Sequence, residues 1–171
     1  MSDQTQFTES QQRAAVVAEA RTWLRTPYHH MGRVKNAGCD CYTLLLEVFL
    51  KIGMFTAAME AEVYPPDWFL HATDDHYKMR ILRHAREMVE SFCSRTEMTQ
   101  PGNVVLLRAS GKRGSIDMHG GIIAEWPKVI HAAPPCVNLA DVRYHPAFTG
   151  GRLEFYSPWP SQNQKESTSN V

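Results

Sequence analysis

Cys41 is the residue whose setting most invites chemistry. The run Asp40-Cys41-Tyr42-Thr43 leads into apolar residues at Leu44, Leu45, Val48 and Ile52, spaced as the buried stripe of a helix, and Gly53 stands where such a helix would end. The spacing predicts a helix beginning at Asp40, with Asp40 as its N-cap and Cys41 in its first turn. Backbone N–H groups left free at a helix start, together with the helix dipole, stabilise negative charge there. A thiol so placed is expected to have a lowered pKa and to act as a nucleophile, and the same N–H groups can hold the oxyanion formed when it attacks a carbonyl. Arg33 and Lys35 upstream add to this effect, and Asp40 opposes it. Position alone also allows a bland reading, in which Cys41 is a small buried residue of an ordinary helix.

A cysteine nucleophile needs a base, for which histidine is the usual choice. Of the eight histidines, His29 and His30 fall in the loop before Cys41, His71, His76 and His84 on or beside a polar-faced helix, and His145 in a loop beside Pro146. His119 and His131 differ, because each interrupts an apolar β segment where an imidazole must find a partner. They read either as two satisfied core histidines or, with a cysteine at a helix start available, as base and orienter. Strand parity sharpens the second reading. If the turn between the segments is Glu125-Trp126-Pro127, or if a bulge restores the same parity, His119 falls opposite Ala133 and His131 opposite Gly121, with both rings on one face. That face is expected to pack against the start of the Cys41 helix, and Gly120 and Gly121 to leave room for substrate beside His119. A metal site at Cys39 and Cys41 is disfavoured, because Cys-x-Cys lacks the spacing of structural zinc. No metal or cofactor is expected.

These residues must be positioned by a modest frame. The chain has 171 residues, 43% of them hydrophobic and 21% charged, which suits one folded domain and excludes wholesale disorder. Eighteen basic residues balance eighteen acidic ones, so nothing points to nucleic acid or to a membrane surface. The run from Leu44 to Leu50 is interrupted by Glu47 and too short to span a bilayer. The polar start MSDQTQFTES reads as no secretory signal, so synthesis in the cytoplasm is expected. Four scattered cysteines, at 39, 41, 93 and 136, argue for free thiols.

A first helix is predicted over residues 11–25, with Thr8 and Gln11 as a capping box and Thr26-Pro27 as its stop. A proline-rich connector, Tyr64-Pro65-Pro66-Asp67-Trp68, precedes a third helix marked by Tyr77, Ile81, Ala85, Met88, Val89 and Phe92. Strands are predicted at Val104–Arg108, Gly120–Glu125, Lys128–Ala132 and Arg152–Tyr156. Helices first and strands afterwards give an α+β class over residues 1–160, with residues 161–171 as a disordered polar tail.

Read in order, Thr26-Pro27-Tyr28-His29-His30, the loop from Gly32 to Gly38, Cys39-Asp40-Cys41, Tyr64–Trp68, Pro101-Gly102-Asn103-Val104-Val105, His119–Ile123 and Val129–Ala132 resemble the NlpC/P60 cysteine peptidases, most of all a phage cell-wall peptidase or tail-associated branch. The resemblance covers about residues 12 to 157. It implies a papain-like α+β fold with Cys41 as nucleophile, His119 as base and His131 as orienter. It also implies Tyr28 near the nucleophile and Asp40 as a residue that helps bind the free amine of a peptidoglycan stem peptide. The implied reaction is hydrolysis of an amide bond in such a peptide, often between D-glutamate and a diamino acid. Two positions depart from the pattern: Tyr42 stands where a small residue is usual, which would narrow or shift the substrate pocket, and Cys39 where an aliphatic one is usual. No separate wall-binding module fits, so delivery is expected to rest on a partner or a phage particle, with action in a tail or at the cell wall. Two other functions use the same residues: a non-enzymatic tail-assembly component, and a cysteine amidase or acyltransferase acting on a substrate outside the wall.

Overall fold

The computed structural model describes residues 7–55, 89–90, 92–111 and 114–159. The connector at 64–68, nearly all of the third helix with His71, His76 and His84, and the tail at 161–171 lie outside the described residues.

Helix α1 spans Glu9–Thr22, with Thr8 and Gln11 forming the predicted reciprocal cap. It ends at Trp23, short of the proline that was expected to stop it. A short hairpin of β1 (Arg33–Val34) and β2 (Gly38–Cys39) leads into α2 (Cys41–Lys51). Asp40 caps α2, and Gly53, at φ 76°, turns the chain out of it in the left-handed conformation that glycine adopts without a Cβ clash. The buried face of α2 is wider than a stripe. Leu46 and Phe49 are buried along with Leu44, Leu45 and Val48, while Ile52 is only partly covered.

The rest is an antiparallel sheet of six strands in the order β3-β8-β4-β5-β6-β7. The strands are β3 (Ser94–Thr96), β4 (Val104–Gly111), β5 (Gly114–Glu125), β6 (Lys128–Ala133), β7 (Cys136–Asp141) and β8 (Arg152–Ser157). Strands β3 and β7 were not predicted from sequence: β3 is three residues of exposed polar character, and β7 mixes Asn138 and Asp141 among its apolar positions. The outer edge of β7 is occupied by residues 25–28, where Arg25 N–H donates to the Val137 carbonyl and Val137 N–H to that of Thr26. Helices packed on this antiparallel sheet make the chain α+β, as expected.

Two apolar clusters flank the sheet. The larger joins Val16, Ala20 and Trp23 of α1 and the buried residues of α2 to Val104, Leu106, Ile122, Ile130, Ala132 and Val137. The smaller, on the opposite face, holds Val105, Leu107, Ile123, Val129, Val142 and Phe148. Burying one such side chain contributes about 1.5–3 kcal/mol, so the face under α1 and α2 carries most of the stability. Among the described residues no helix is long and apolar enough to cross a membrane.

Candidate active site

The N-cap geometry of α2 fixes Cys41. One Asp40 carboxylate oxygen accepts from the Thr43 N–H at 2.9 Å, and the Asp40 N–H donates to the Thr43 hydroxyl at 2.9 Å. The other oxygen accepts the Met31 N–H at 2.7 Å and lies 3.7 Å from a His30 ring nitrogen. Asp40 is 2% exposed, so its carboxylate is committed to holding the helix start and the 29–32 loop. Cys41 follows in the first turn, partly exposed. The backbone N–H groups of Gly120 on β5 and of Tyr42 and Cys41 face its sulfur and favour the thiolate against burial.

The two predicted histidines meet. His119 Nε2 lies 2.7 Å from His131 Nδ1, with the rings at 89° and their centroids 4.9 Å apart. The turn between β5 and β6 has two residues, Trp126 and Pro127, and an irregularity between Ile123 and Glu125 restores the parity that brings the rings to one side. Ile122 pairs with Ile130 and Ile123 with Val129, a phase that sets His131 opposite Gly121 as expected.

The face is not the expected one. Both rings pack on Phe148, at 5.0 and 4.9 Å between centroids, and so belong to the smaller cluster opposite α2. Strand periodicity brings the rings together but does not say which side a helix covers. The thiol nonetheless approaches the same strand: the β5–β6 register stops at Ile122 and Ile130, and the Gly120 N–H beyond it faces the Cys41 sulfur. Among the described residues no hydrogen bond joins Cys41 to His119. Gly120, whose N–H faces the sulfur, is the residue next to His119 on β5.

Gly120 and Gly121 do not open space for a substrate. A Cβ at Gly120 would lie 3.0 Å from Leu106 Cδ2 and 3.3 Å from Leu45 Cδ1, and one at Gly121 would lie 2.4 Å from Val129 Cγ1 and 2.8 Å from the Ile130 carbonyl oxygen. Both glycines serve close packing, and at Gly120 this lets α2 settle on the sheet.

The electrostatics also correct an expectation. Burial, and secondarily the Asp40 charge, push the Cys41 thiol up to about 12, outweighing the backbone N–H groups that pull it down. A helix start lowers a thiol pKa only where its charge stays hydrated, and the capping carboxylate next to Cys41 works against it. Burial, then His145, holds His119 down at about 4. Burial, then His119 and His145, holds His131 at about 3. The free protein therefore keeps a neutral thiol beside neutral imidazoles.

Tyr28 lies within electrostatic reach of this pair: burial, then the charges of Cys41, Asp40 and Cys39, push its hydroxyl up to about 12. Tyr42 is partly buried against the larger cluster. Cys39 is fully buried in that cluster. His145, read from sequence as a loop residue, packs its ring 4.6 Å from that of His131, while its Nδ1 accepts the Ala147 N–H at 3.3 Å. Its spacing from Phe148 gave no periodic signal that would have revealed it. Among the described residues no group of three or more His, Cys, Asp or Glu side chains is placed to hold a metal ion.

No protein-family model matches the chain, and no curated protein matches it. Solved structures do. The NlpC/p60 domain of the peptidoglycan hydrolase SagA superposes with a TM-score of 0.51 at 19% identity, over 85% of this chain and 97% of that domain. NlpC1 from Trichomonas vaginalis superposes with a TM-score of 0.59 at 14% identity, over 91% of this chain and 47% of that one. A lipoprotein-like NLP/P60 protein from Staphylococcus aureus gives 0.57 at 15% identity, over 94% of this chain and 46% of that one. The chain thus spans about half the length of the latter two. With two helices on a six-stranded antiparallel sheet and these neighbours, the chain has the NlpC/P60 fold.

Proposed function

We propose that this protein is a cysteine peptidase or amidase that hydrolyses an amide bond in peptidoglycan stem peptides. The observation that carries the reading is the His119–His131 contact at 2.7 Å on a strand whose next residue, Gly120, turns its N–H toward the Cys41 sulfur. The SagA domain, with the same fold, belongs to a peptidoglycan hydrolase.

In this mechanism His119 uses Nδ1, the ring nitrogen not turned to His131. Because thiol and imidazole are both neutral at rest, the proton passes from Cys41 to His119 as the sulfur attacks the carbonyl carbon. N–H groups at the start of α2 stabilise the resulting oxyanion. The C–N bond breaks as His119 returns the proton to the leaving amine, leaving a thioester. Water, deprotonated by His119, then attacks the thioester; the C–S bond breaks, the sulfur takes the proton back from His119, and the acyl group leaves as a carboxylic acid that ionises in solvent. His131 orients His119 and carries part of its transient charge. Asp40 builds the site; any contact with a substrate amine comes second to its capping role. The finer assignment is a bond between D-glutamate and a diamino acid, cleaved by a protein delivered with a phage tail. It rests on the sequence resemblance, as does action at the cell wall after synthesis in the cytoplasm.

One observation favours a non-enzymatic tail component instead, namely the elevated thiol pKa. Digestion of purified peptidoglycan, with mass analysis of the released peptides, separates the two. The wild type is expected to release stem-peptide fragments, and Cys41→Ala none, with an unchanged melting temperature. Equal release by both proteins would overturn the peptidase reading.

A further inference from the structure

His131 is fully buried, and among the described residues its Nε2 atom has no hydrogen-bond partner. A buried polar atom left unpaired is costly, so its surroundings bear on what the histidine pair can do. The tautomers make this specific, on the reading that His119 is the base. To take the thiol proton at Nδ1, His119 must keep its own proton on Nε2 and donate it to His131 Nδ1. His131 then carries its proton on Nε2, the unpaired atom. In the opposite arrangement His131 donates through Nδ1, its Nε2 is a bare lone pair, and His119 Nδ1 already holds a proton. That second pair is idle. Whatever group lies at His131 Nε2 thus selects between a competent and an idle base.

Two rings crowd His131 from the 145–148 segment, and neither supplies a strong acceptor. Phe148 has none, and His145 has its Nδ1 lone pair taken by the Ala147 N–H at 3.3 Å, which leaves Nε2 of that ring as a donor. Directly opposite His131 on β7 stands Asn138. Directly opposed residues of antiparallel strands hold their Cβ atoms about 4.5–5.5 Å apart, within reach of a short amide. Asn138 Nδ2 donates to the Cys136 carbonyl at 3.3 Å, which orients the amide and leaves Oδ1 as a free acceptor.

We propose that Asn138 is a positioning residue: its Oδ1 accepts the His131 Nε2–H and so fixes the tautomer in which His119 acts as base. A pull from Asn138 that favours the protonated His131 ring, against the burial that disfavours it, supports this. Such a contact extends the His119–His131 pair to Asn138.

The test uses the full chain, labelled with nitrogen-15 at histidine, and reads imidazole protonation at pH 7 with no substrate present. The wild type is expected to show His131 protonated at Nε2 and His119 bare at Nδ1. Asn138→Leu should shift the population toward the opposite pair, and Asn138→Asp, which keeps an acceptor, should restore the wild-type pattern. Asn138→Ala replaces the leucine variant if that variant does not fold. On peptidoglycan, Asn138→Leu should lower kcat about 3–10-fold with KM unchanged, the effect of losing one hydrogen bond. A wild-type spectrum with the proton on His131 Nδ1, or a leucine variant with unaltered tautomers, overturns the proposal. Absence of hydrolysis by the wild type would count against the peptidase reading alone, since the spectra decide the Asn138 role without turnover.

Discussion

On the helix-covered face of the sheet, Leu44, Leu46, Phe49, Ile122 and Ile130 pack with no solvent exposure. On the opposite face Val105, Leu107, Ile123 and Val129 share a smaller cluster with Phe148, and the rings of His119, His131 and His145 gather around that phenylalanine. The first face is a seal of apolar side chains beneath α1 and α2. The second is where polar rings are tolerated, because a short segment rather than a long helix covers it. The proposed nucleophile comes from the first face and the proposed base from the second. The two faces meet where the β5–β6 ladder ends and the Gly120 N–H faces the sulfur. The comparison teaches that the proposed pair is drawn from both sides of the sheet at a gap in its ladder, not from one side of it.

The largest effect that would break this picture is on rate. His119→Ala is expected to reduce peptidoglycan hydrolysis by about 10²–10⁴-fold, the usual cost of removing a general base. His131→Asn should cost less, because an amide oxygen can partly orient the base. Equal losses, or a larger one at His131, would mean that the roles are exchanged.

The two glycines report on the two faces separately. Gly121→Ala drives a Cβ to 2.8 Å from the Ile130 carbonyl oxygen, a backbone atom that cannot step aside, and 2.4 Å from Val129 Cγ1. It should destabilise by about 1–3 kcal/mol. Gly120→Ala meets only the tips of Leu106 and Leu45, at 3.0 and 3.3 Å, and should cost less. Thermal melting that ranks the two in the reverse order would contradict the packing assigned to each face.

Acid separates the faces as well. His119 and His131, at about 4 and about 3, lie below the ordinary imidazole value of 6.5. Between those values the unfolded chain binds more protons than the folded one, so stability rises with pH there. The histidine contribution is therefore complete above about pH 6.5 and is lost as the pH falls through 4 toward 3. A double variant, His119→Ala with His131→Asn, should flatten the melting-temperature profile across that interval. An unchanged slope would show that these rings are not held neutral by burial.

The smallest expected effect concerns Asp40. Asn caps a helix about as well as Asp. Asp40→Asn removes the charge that holds the thiol up, so the midpoint of Cys41 alkylation against pH should move down, with labelling at pH 8 about 3–10-fold faster. A midpoint that stays or rises would mean that burial alone sets the thiol.

Much of this was legible in the sequence. The Thr8–Gln11 and Asp40–Thr43 ends of the helices are local, and local hydrogen-bonding rules suffice to find them. The parity of His119 and His131 was legible because side chains alternate with period two, and requiring a shared face demanded either a three-residue turn or a bulge. What was not legible depends on the third dimension. Periodicity does not say which face receives α2. It does not say that a glycine pair serves packing rather than substrate, or that burial outweighs a helix dipole at Cys41. His145 and Asn138 matter only through the neighbour they touch, and no spacing along the chain marks that neighbour.

The neutral state of Cys41 has a consequence beyond catalysis. Peroxide oxidises the thiolate and hardly touches the thiol, and the sulfinic and sulfonic acids at the end of that path are not recovered by ordinary reductants. With burial and Asp40 favouring the proton on sulfur, Cys41 is expected to react slowly with oxidants. Oxidation of Cys41 by hydrogen peroxide at pH 7 should be no faster than that of free cysteine.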